Sequence, residues 1–397
     1  MNAQVLSSYR IREHARDVTD PGDEFSAALF ASLRRSDQRL RARHYLRGLL
    51  AAKGRKSIRN IATLAGGAAA EQSLHHFISG STWDWAPIRE ALAGHVTRAL
   101  TPPAWVVRPM FIPKTGEHSV GVERQFAPEY GQVLNGQLAF GAWAATEGIS
   151  VPVHWRLHLP EPWLEDARRR RKAEIPDSAR AETPDECATA TALALPHRWE
   201  APRRSVVLDT HVTGLGGVVR SFAEAQVPLL ARVDGGTRLI VADRAMPGYR
   251  AGAIPARHIM ESVQGLRRRL DTPGGAVRRT TLAAAVRVRL TRPGFGGELL
   301  LIGEWHERGE APTALWLAAP ATAPVGDLVR LTWLAQRVAR DEKQIGERVG
   351  VRDFEGRSFR GWHRHMTLAS VAHAASVLAA GAGESDEPRF SMLRPSA

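Results

Sequence analysis

The order of short apolar runs along the chain constrains its fold more than any other feature. Beyond residue 104, runs rich in β-branched and aromatic residues are bounded by Gly and Pro, which is typical of β-strands. Five of them come first, at residues 105–112, 134–145, 151–159, 205–212 and 227–233. A helical pattern through Val218 and Phe222 separates the last two runs. Consecutive strands followed by strand and helix in alternation predict an α/β domain with a mixed sheet and flanking helices.

The second half of the chain adds three further strand-like runs and then turns helical. The runs AAAVRVRL, ELLLIGEW and TALWLAA precede two helical patterns, at residues 325–348 and 361–380. We interpret the whole as an α/β domain of the RNase H type with an antiparallel β insertion, and residues 246–275 as loop or insertion. The predicted boundaries are 101–234 for its first part, 235–319 for the insertion, 320–380 for the last helices and 381–397 for a disordered tail.

Residues 1–100 are predicted to form an all-helical lobe. Apolar residues recur at helical spacing between Phe25 and Ala52, and Ser57 can cap a short helix that ends near Gly66 and Gly67. A second helix follows, so residues 57–79 fit a helix-turn-helix. Its second helix would carry Gln72, Ser73, His75 and His76 towards a DNA groove. Any pair of antiparallel helices gives the same pattern, so a purely structural hairpin is the alternative.

The charge balance points to a polyanionic partner. Lys and Arg number 54 against 41 Asp and Glu, which gives a net charge of +13 and favours nucleic acid. The alternative is an Arg-rich composition that reflects a GC-rich genome. The predicted DNA contacts outside the second helix are Arg55, Lys56, Arg59, Arg168, Arg169, Arg170, Arg171 and Lys172. The run from Arg168 to Lys172 fits either a phosphate backbone or a solvated helix face.

Several classes of protein lack support in the sequence. Cys187 is the single cysteine, so neither a disulfide framework nor a thiolate zinc site is predicted. No apolar run approaches the ~18 residues of a membrane span, and we predict a cytoplasmic, nucleoid-associated protein. Neither the GxxxxGK[ST] phosphate loop nor the GxSxG elbow occurs, which leaves ATPase and α/β-hydrolase readings unsupported.

Six segments together carry a family resemblance over nearly the whole chain. They are GRKSI (54–58), EQSLHHFIS (71–79), PKTGEHSVGVERQF (113–126), HWRLHLPEPW (154–163), RRKAEIP (170–176) and FEGRSFRGWHRHMTLASVAHA (354–374). In order and spacing they resemble landmarks of bacterial insertion-sequence transposases of the DDE superfamily. The resemblance implies a helical DNA-binding lobe, an RNase H-like domain and a homodimer on double-stranded DNA. It also implies that two Asp and one Glu hold two Mg²⁺ or Mn²⁺ ions for phosphoryl transfer.

Carried over residue by residue, the resemblance leaves one acid of the three in place. Asp209, at the end of an apolar strand, matches the second Asp. Arg108 or Pro109 stands where the first Asp is expected, and Ala339 stands at the position of the Glu. Glu342 lies one helical turn after Ala339 and is either a displaced ligand or a solvent-facing charge.

One carboxylate cannot hold two divalent ions against their hydration shells. We therefore predict a catalytically inactive, domesticated transposase without a cofactor, which binds DNA and acts in transcription regulation or DNA architecture. The alternatives are an active, Mg²⁺- or Mn²⁺-dependent transposase that uses Glu117 or Glu342, and a remnant without a partner. His363, His365 and His373 are interpreted as packing or phosphate-contact residues, with transition-metal binding as the less favoured reading.

Overall fold

A computed structural model describes residues 21–198, 204–271, 280–291, 297–307 and 309–384. These parts contain the following helices: α1 (Pro21–Leu29), α2 (Ser36–Ala51), α3 (Ile58–Thr63), α4 (Ala68–His75), α5 (Ala86–Leu100), α6 (Glu161–Glu165), α7 (Ala167–Lys172), α8 (Pro184–Arg198), α9 (Leu215–Glu224), α10 (Ala256–Ser262), α11 (Val325–Asp341) and α12 (Phe359–Glu384).

The described strands all belong to a single sheet. They are β1 (Ala104–Pro113), β2 (Val122–Ala127), β3 (Gln132–Ala145), β4 (Ser150–Leu157), β5 (Ser205–Leu208), β6 (Leu229–Arg232), β7 (Arg238–Val241), β8 (Ala253–Pro255), β9 (Arg268–Asp271), β10 (Thr280–Leu290), β11 (Leu299–Trp305) and β12 (Ala314–Ala319). The order is β2-β3-β1-β5-β6-β12-β11-β10-β7-β8, with β4 paired to β3 and β9 paired to β10. β5 is parallel to both β1 and β6, and the other pairs are antiparallel. The predicted mixed α/β class is confirmed.

The predicted insertion continues the main sheet. β6 pairs with β5 on one side and with β12 on the other, where Leu230 lies opposite Ala318. Strands β7 to β12 therefore share one hydrogen-bonded sheet with β1 to β6. The stretch that we interpreted as loop or insertion, residues 246–275, contains β8, α10 and β9 in its described part, which ends at residue 271. α10 forms there because Ala256, Ile259 and Met260 recur at helical spacing and are buried.

The helical lobe forms the predicted pair of short helices. The Ser57 hydroxyl accepts the backbone N–H of Asn60 at 3.2 Å and begins α3. Gly66 and Gly67 then take positive φ angles of 115° and 75°, which let the chain turn into α4. α4 ends at His75, and a π-helical turn follows it.

The lobe packs directly against the last helix, α12. Arg364 of α12 is buried and donates to the backbone carbonyls of Ile78 at 3.0 Å and Trp83 at 3.1 Å. From the lobe, the fully buried Arg89 of α5 donates to the hydroxyl of Thr367 at 2.7 Å and the carbonyl of Trp155 at 2.7 Å. These charge-assisted hydrogen bonds tie the lobe to the sheet domain.

The two C-terminal helices differ from their predicted lengths. α11 ends at Asp341, and a π-helical turn from Glu342 to Gly346 takes the place of the predicted continuation to residue 348. α12 reaches Glu384, past the predicted start of the tail at residue 381, while residues 385–397 lie outside the described ones. No helix among the described residues combines the length and apolar character that crossing a bilayer requires.

Candidate functional site

The sheet brings two of the predicted triad positions side by side. β1 and β5 are parallel neighbours with Val107 opposite Leu208, and the backbone N–H of Asp209 donates to the carbonyl of Val107 at 2.9 Å. Arg108 and Asp209 therefore follow paired residues on adjacent strands. Glu342, the first residue of the π-helical turn after α11, meets them from the neighbouring helix.

Arg108 bridges the two acids. Its Nη1 donates to Oδ2 of Asp209 at 2.5 Å, and its Nε donates to Oε2 of Glu342 at 3.0 Å. The Asp209 and Glu342 side chains are only 3% and 6% exposed. A guanidinium thus occupies the space between the two carboxylates.

Two more arginines complete this arrangement. Arg232 Nη1 donates to Oδ1 of Asp209 at 2.9 Å, and Arg352 Nη2 donates to Oε1 of Glu342 at 2.9 Å. Arg352 also reaches Glu129 at 3.3 Å. We call Arg108, Asp209, Arg232, Glu342, Arg352 and Glu129 the arginine–carboxylate cluster. Three cations and three anions alternate in it, so its formal charge is balanced.

The electrostatics of the cluster follow from burial and pairing. Burial raises the pKa of Glu342, and the nearby Arg108 and Arg352 offset part of that effect. Burial acts to lower the pKa of Arg108, but the carboxylates of Asp209 and Glu342 outweigh it and raise that pKa. Arg108 therefore keeps its positive charge in this pocket.

The residues of the cluster do not fit a pair of divalent metal ions. All four carboxylate oxygens of Asp209 and Glu342 already accept guanidinium hydrogen bonds. Mg²⁺ and Mn²⁺ need those same lone pairs, and three guanidinium charges would repel the ions. Within the described residues, no group of three or more His, Cys, Asp or Glu side chains could hold a metal ion.

The structure decides between several readings of the triad positions. Arg108, and not Pro109, reaches the two acids, while Pro109 pairs with Phe140 across β1 and β3. Ala339 is half-buried on α11 and has no charge to contribute. Glu342 is 5% exposed, so its interpretation as a solvent-facing charge is wrong. Glu117, proposed as a displaced ligand, is exposed in the loop after β1 and lines a cleft beside Trp163.

Most predicted DNA contacts of the helical lobe lie at its surface. Arg59, Gln72 and His75 line an open cleft of about 510 Å³ that also includes residues 354–356. His76 is exposed, and Arg55 pairs with Glu355 at 3.3 Å.

Two residues of this lobe that were predicted to contact DNA form hydrogen bonds within the protein. Ser73 accepts a hydrogen bond from Arg41 at 2.7 Å. Lys56 requires a correction, because its side chain is buried and its ammonium donates to the carbonyl of Ala52. Lys56 therefore anchors the chain before α3 and does not present its charge at the surface.

The predicted basic run forms α7, a short helix at the surface. Asp166 caps it by accepting the backbone N–H groups of Arg168 and Arg169 at 2.8 and 3.0 Å. Arg169 lies 5.6 Å from the centre of the Trp163 ring, and Arg170 donates to the carbonyl of Pro176 at 2.8 Å. Arg168, Arg171 and Lys172 are exposed.

The three histidines of α12 face the interior. His363 is stacked on Trp85 with ring centres 4.8 Å apart, and His365 lies 2.9 Å from the Tyr45 hydroxyl. His373 is 2.9 Å from the carbonyl of Ser150. Burial lowers the pKa of all three. These contacts support the packing interpretation.

Sequence reasoning missed Arg232, Arg352 and Glu129. Arg232 ends the strand that follows Asp209 in the sheet, so a correct pairing of β5 with β6 would have placed it beside Asp209. Arg352 and Glu129 come from two loops that are far apart in sequence, and no local pattern marks them.

Two comparisons with known proteins each found a match. One similar solved structure is the piggyBac transposase synaptic complex with hairpin DNA, determined by cryo-electron microscopy. The match has 10% sequence identity and a TM-score of 0.42, and it covers 92% of this chain and 73% of that chain. No curated protein sequence matches the chain. A family model described as DDE superfamily endonuclease matches residues 28–289, more than half of the chain, which therefore belongs to this family.

Proposed function

We propose that the chain is a DNA-binding member of the DDE superfamily that does not cleave DNA and that acts as a regulatory or architectural factor. The observation that carries this proposal is the position of Arg108. Its guanidinium lies within hydrogen-bonding distance of both Asp209 and Glu342, where the family chemistry would require cations held by acids alone.

The chemical argument concerns charge. Phosphoryl transfer by two metal ions needs carboxylates that keep both ions about 4 Å apart and leave them open to the substrate. In the arginine–carboxylate cluster, the acids are neutralised by Arg108, Arg232 and Arg352. A cation that entered would have to displace at least one guanidinium from a buried ion pair, which is costly.

Support for DNA binding comes from charge and from the surface. The chain carries a net charge of +13, and Arg59, Arg168, Arg171 and Lys172 are exposed. Each phosphate that such a side chain neutralises releases counterions, which strengthens binding at low salt.

A mobility-shift assay over a salt series, run beside a plasmid-nicking assay, tests both halves of the proposal. We expect duplex DNA to bind at ~50 mM salt, with an affinity that falls steeply as salt increases. With Mg²⁺ or Mn²⁺ present, we expect supercoiled plasmid to be nicked no faster than by the Asp209→Ala variant. Absence of any DNA affinity at low salt would refute the binding function.

An active transposase is the second candidate, and one observation favours it. Asp209 and Glu342 meet in the same buried pocket, as two ligands of a metal site would. Nicking that depends on the metal ion and disappears in Asp209→Ala would establish this activity. In that case, Arg108 would have to leave the pocket when metal and DNA bind.

A further inference from the structure

The hairpin of β2 and β3 exposes an unusual amount of apolar surface. Phe126 is 60% exposed, Tyr130 42% and Val133 49%. Among the described residues, seven large hydrophobic side chains are exposed, and these three share one hairpin. We call Phe126, Tyr130 and Val133 the aromatic hairpin tip. Such a cluster on a protein surface commonly marks a binding site.

The tip has a fixed geometry. Phe126 and Val133 lie directly opposite each other across β2 and β3, so their side chains share one face. Tyr130, in the turn, makes an edge-to-face contact with Phe111, and the two ring centres are 6.1 Å apart. Phe111 can lie there because Gly136 has no side chain, and a Cβ at that position would come within 2.2 Å of the ring. Phe111 pairs with Leu138 and Phe126 pairs with Val133, so by alternation Tyr130 packs on the opposite face of the sheet from Phe126. Phe126 is therefore the aromatic ring that is exposed beside Val133.

Cationic side chains continue the same face of the hairpin. Arg124 lies opposite Asn135, two residues along each strand from Phe126 and Val133, and alternate residues of a strand point to the same side. Arg124 and Asn135 line a cleft of about 260 Å³ together with Arg169 and two acids, Glu117 and Glu123. Because Arg169 belongs to α7, the apolar tip and the basic helix border one connected surface.

The other end of the tip reaches the arginine–carboxylate cluster. Glu129, in the same turn as Tyr130, contacts Arg352 at 3.3 Å. The hairpin therefore contacts the arginine–carboxylate cluster through its turn and borders the cleft beside α7 through Arg124 and Asn135.

We propose that the aromatic hairpin tip binds unpaired bases of DNA, while Arg124 and α7 hold the adjacent phosphates. The proposal rests on the DNA-binding function proposed above and adds a preference for DNA that contains unpaired nucleotides. Every base presents a flat π face that can stack on an exposed aromatic ring, whereas the bases of an intact duplex are already stacked on each other. A positively charged groove beside aromatic side chains is the common form of such sites.

Charge favours nucleic acid over a second copy of the chain at this surface. Each copy carries +13, and pairing through this surface would bring the exposed Arg168, Arg171 and Lys172 of one copy towards the like charges of the other. A polyanion removes this repulsion.

The test measures binding of the full chain, by fluorescence anisotropy, to two labelled DNAs of the same sequence. One is fully paired and the other contains a short unpaired segment. We expect the wild type to bind the second DNA about tenfold more tightly, the effect of stacking roughly one base. Phe126→Ala should abolish most of this preference and leave the affinity for paired DNA nearly unchanged.

Two further variants make the comparison specific. Phe126→Leu keeps an apolar side chain but removes the π face, so it should lose the preference as Phe126→Ala does. Leu266→Ala shortens another exposed apolar residue, 55% exposed and elsewhere on the protein, and should bind both DNAs like the wild type. Thermal unfolding checks that each variant is folded.

The outcomes separate this inference from the proposed function. Equal binding of both DNAs by the wild type, or an unchanged preference in Phe126→Ala, overturns the hairpin site and leaves DNA binding intact. Failure to bind either DNA refutes both proposals. Sedimentation without DNA adds a third result, because a dimer that Phe126→Ala dissociates would make the tip a contact between copies and would overturn the inference.

Discussion

At the first triad position, Arg108 bonds two acids through two different nitrogens. The guanidinium presents several N–H donors in a planar fork, so Arg108 can use Nη1 for Asp209 and Nε for Glu342 at the same time. Lysine would offer a single ammonium. The cluster therefore depends on the shape of the side chain at position 108 as well as on its charge.

We expect Arg108→Ala to destabilise the protein by about 3 kcal/mol near neutral pH, because it leaves two buried carboxylates close together with one cation fewer. The loss in the free energy of unfolding should be smaller at acidic pH. Burial already raises the pKa of Glu342, and removal of Arg108 raises it further. The stability gained from neutral Glu342 is present below its unfolded pKa and is lost as the pH rises through the folded value. Urea unfolding at about pH 7 and about pH 5 measures the difference.

Arg35→Ala is the matched control for this prediction. Arg35 also pairs with an acid, Asp37 at 2.9 Å, but its side chain is 73% exposed. Removal of a surface pair should leave the free energy of unfolding nearly unchanged at either pH. A loss for Arg108→Ala as small as that of the control would show that the buried cluster does not depend on its central guanidinium.

At the scale of secondary structure, two C-terminal elements determine the site and its attachment. The π-helical turn after α11 begins at Glu342 and directs this acid into the pocket, and such turns are frequent at functional sites. α12 packs between the helical lobe and β4, with His363, His365 and His373 fully or almost fully buried. Its buried histidines lie at the join between lobe and sheet, where His365 contacts Tyr45 and His373 contacts Ser150.

We predict that stability falls as the pH drops from about 6.5 towards 4. The pKa of His365 and of His373 is lowered to about 4 by burial, so protons bind the unfolded chain more tightly than the folded one. The contribution of each neutral histidine is complete above its unfolded pKa and is lost below it, at about 1.4 kcal/mol per pH unit. In urea unfolding experiments, His365→Phe should reduce the slope of the unfolding free energy against pH.

His211→Gln serves as the comparison, because His211 is exposed. Its slope of stability against pH should equal that of the wild type. If His365→Phe and His211→Gln gave the same slope, the buried histidine would not be the acid-sensitive group.

At the scale of the whole molecule, one sheet joins regions that the sequence suggests are separate. β6 is the junction, since it pairs with the parallel core through β5 and with the antiparallel strands through β12. Both halves also bury their apolar residues in one continuous core. Neither half can unfold without exposing apolar surface of the other.

We therefore expect a single thermal transition, with tryptophan fluorescence and far-UV circular dichroism giving the same midpoint. Leu230→Ala removes a fully buried side chain at the junction and should cost about 3 kcal/mol. It should lower the one midpoint and should not split the curve. Two separated transitions in the wild type would mean that strands β7 to β12 form a unit of their own.

The sequence by itself determined most of the elements. Apolar runs bounded by Gly and Pro located β1, β3 to β6 and β10 to β12 but not β2 or β7 to β9. Helical spacing located the main helices, and Ser57, Gly66 and Gly67 marked the turn in the lobe. These signals are local, because they depend only on the type and spacing of residues that are close together in the sequence. The family resemblance likewise used neighbouring residues to match Asp209 to the second Asp of the triad and Arg108 to the position of the first.

Only the tertiary structure decided which side chains these residues contact and how deeply they are buried. Whether Glu342 faces solvent or the pocket depends on the π-helical turn and on the packing of α11 against the sheet. Whether Lys56 is exposed depends on how the lobe lies against the loop before α12, where Asp353 accepts its backbone N–H at 2.7 Å. Arg232 and Arg352 join the acids from distant segments, and the energy of such ion pairs depends on distance and burial, which chain order does not encode.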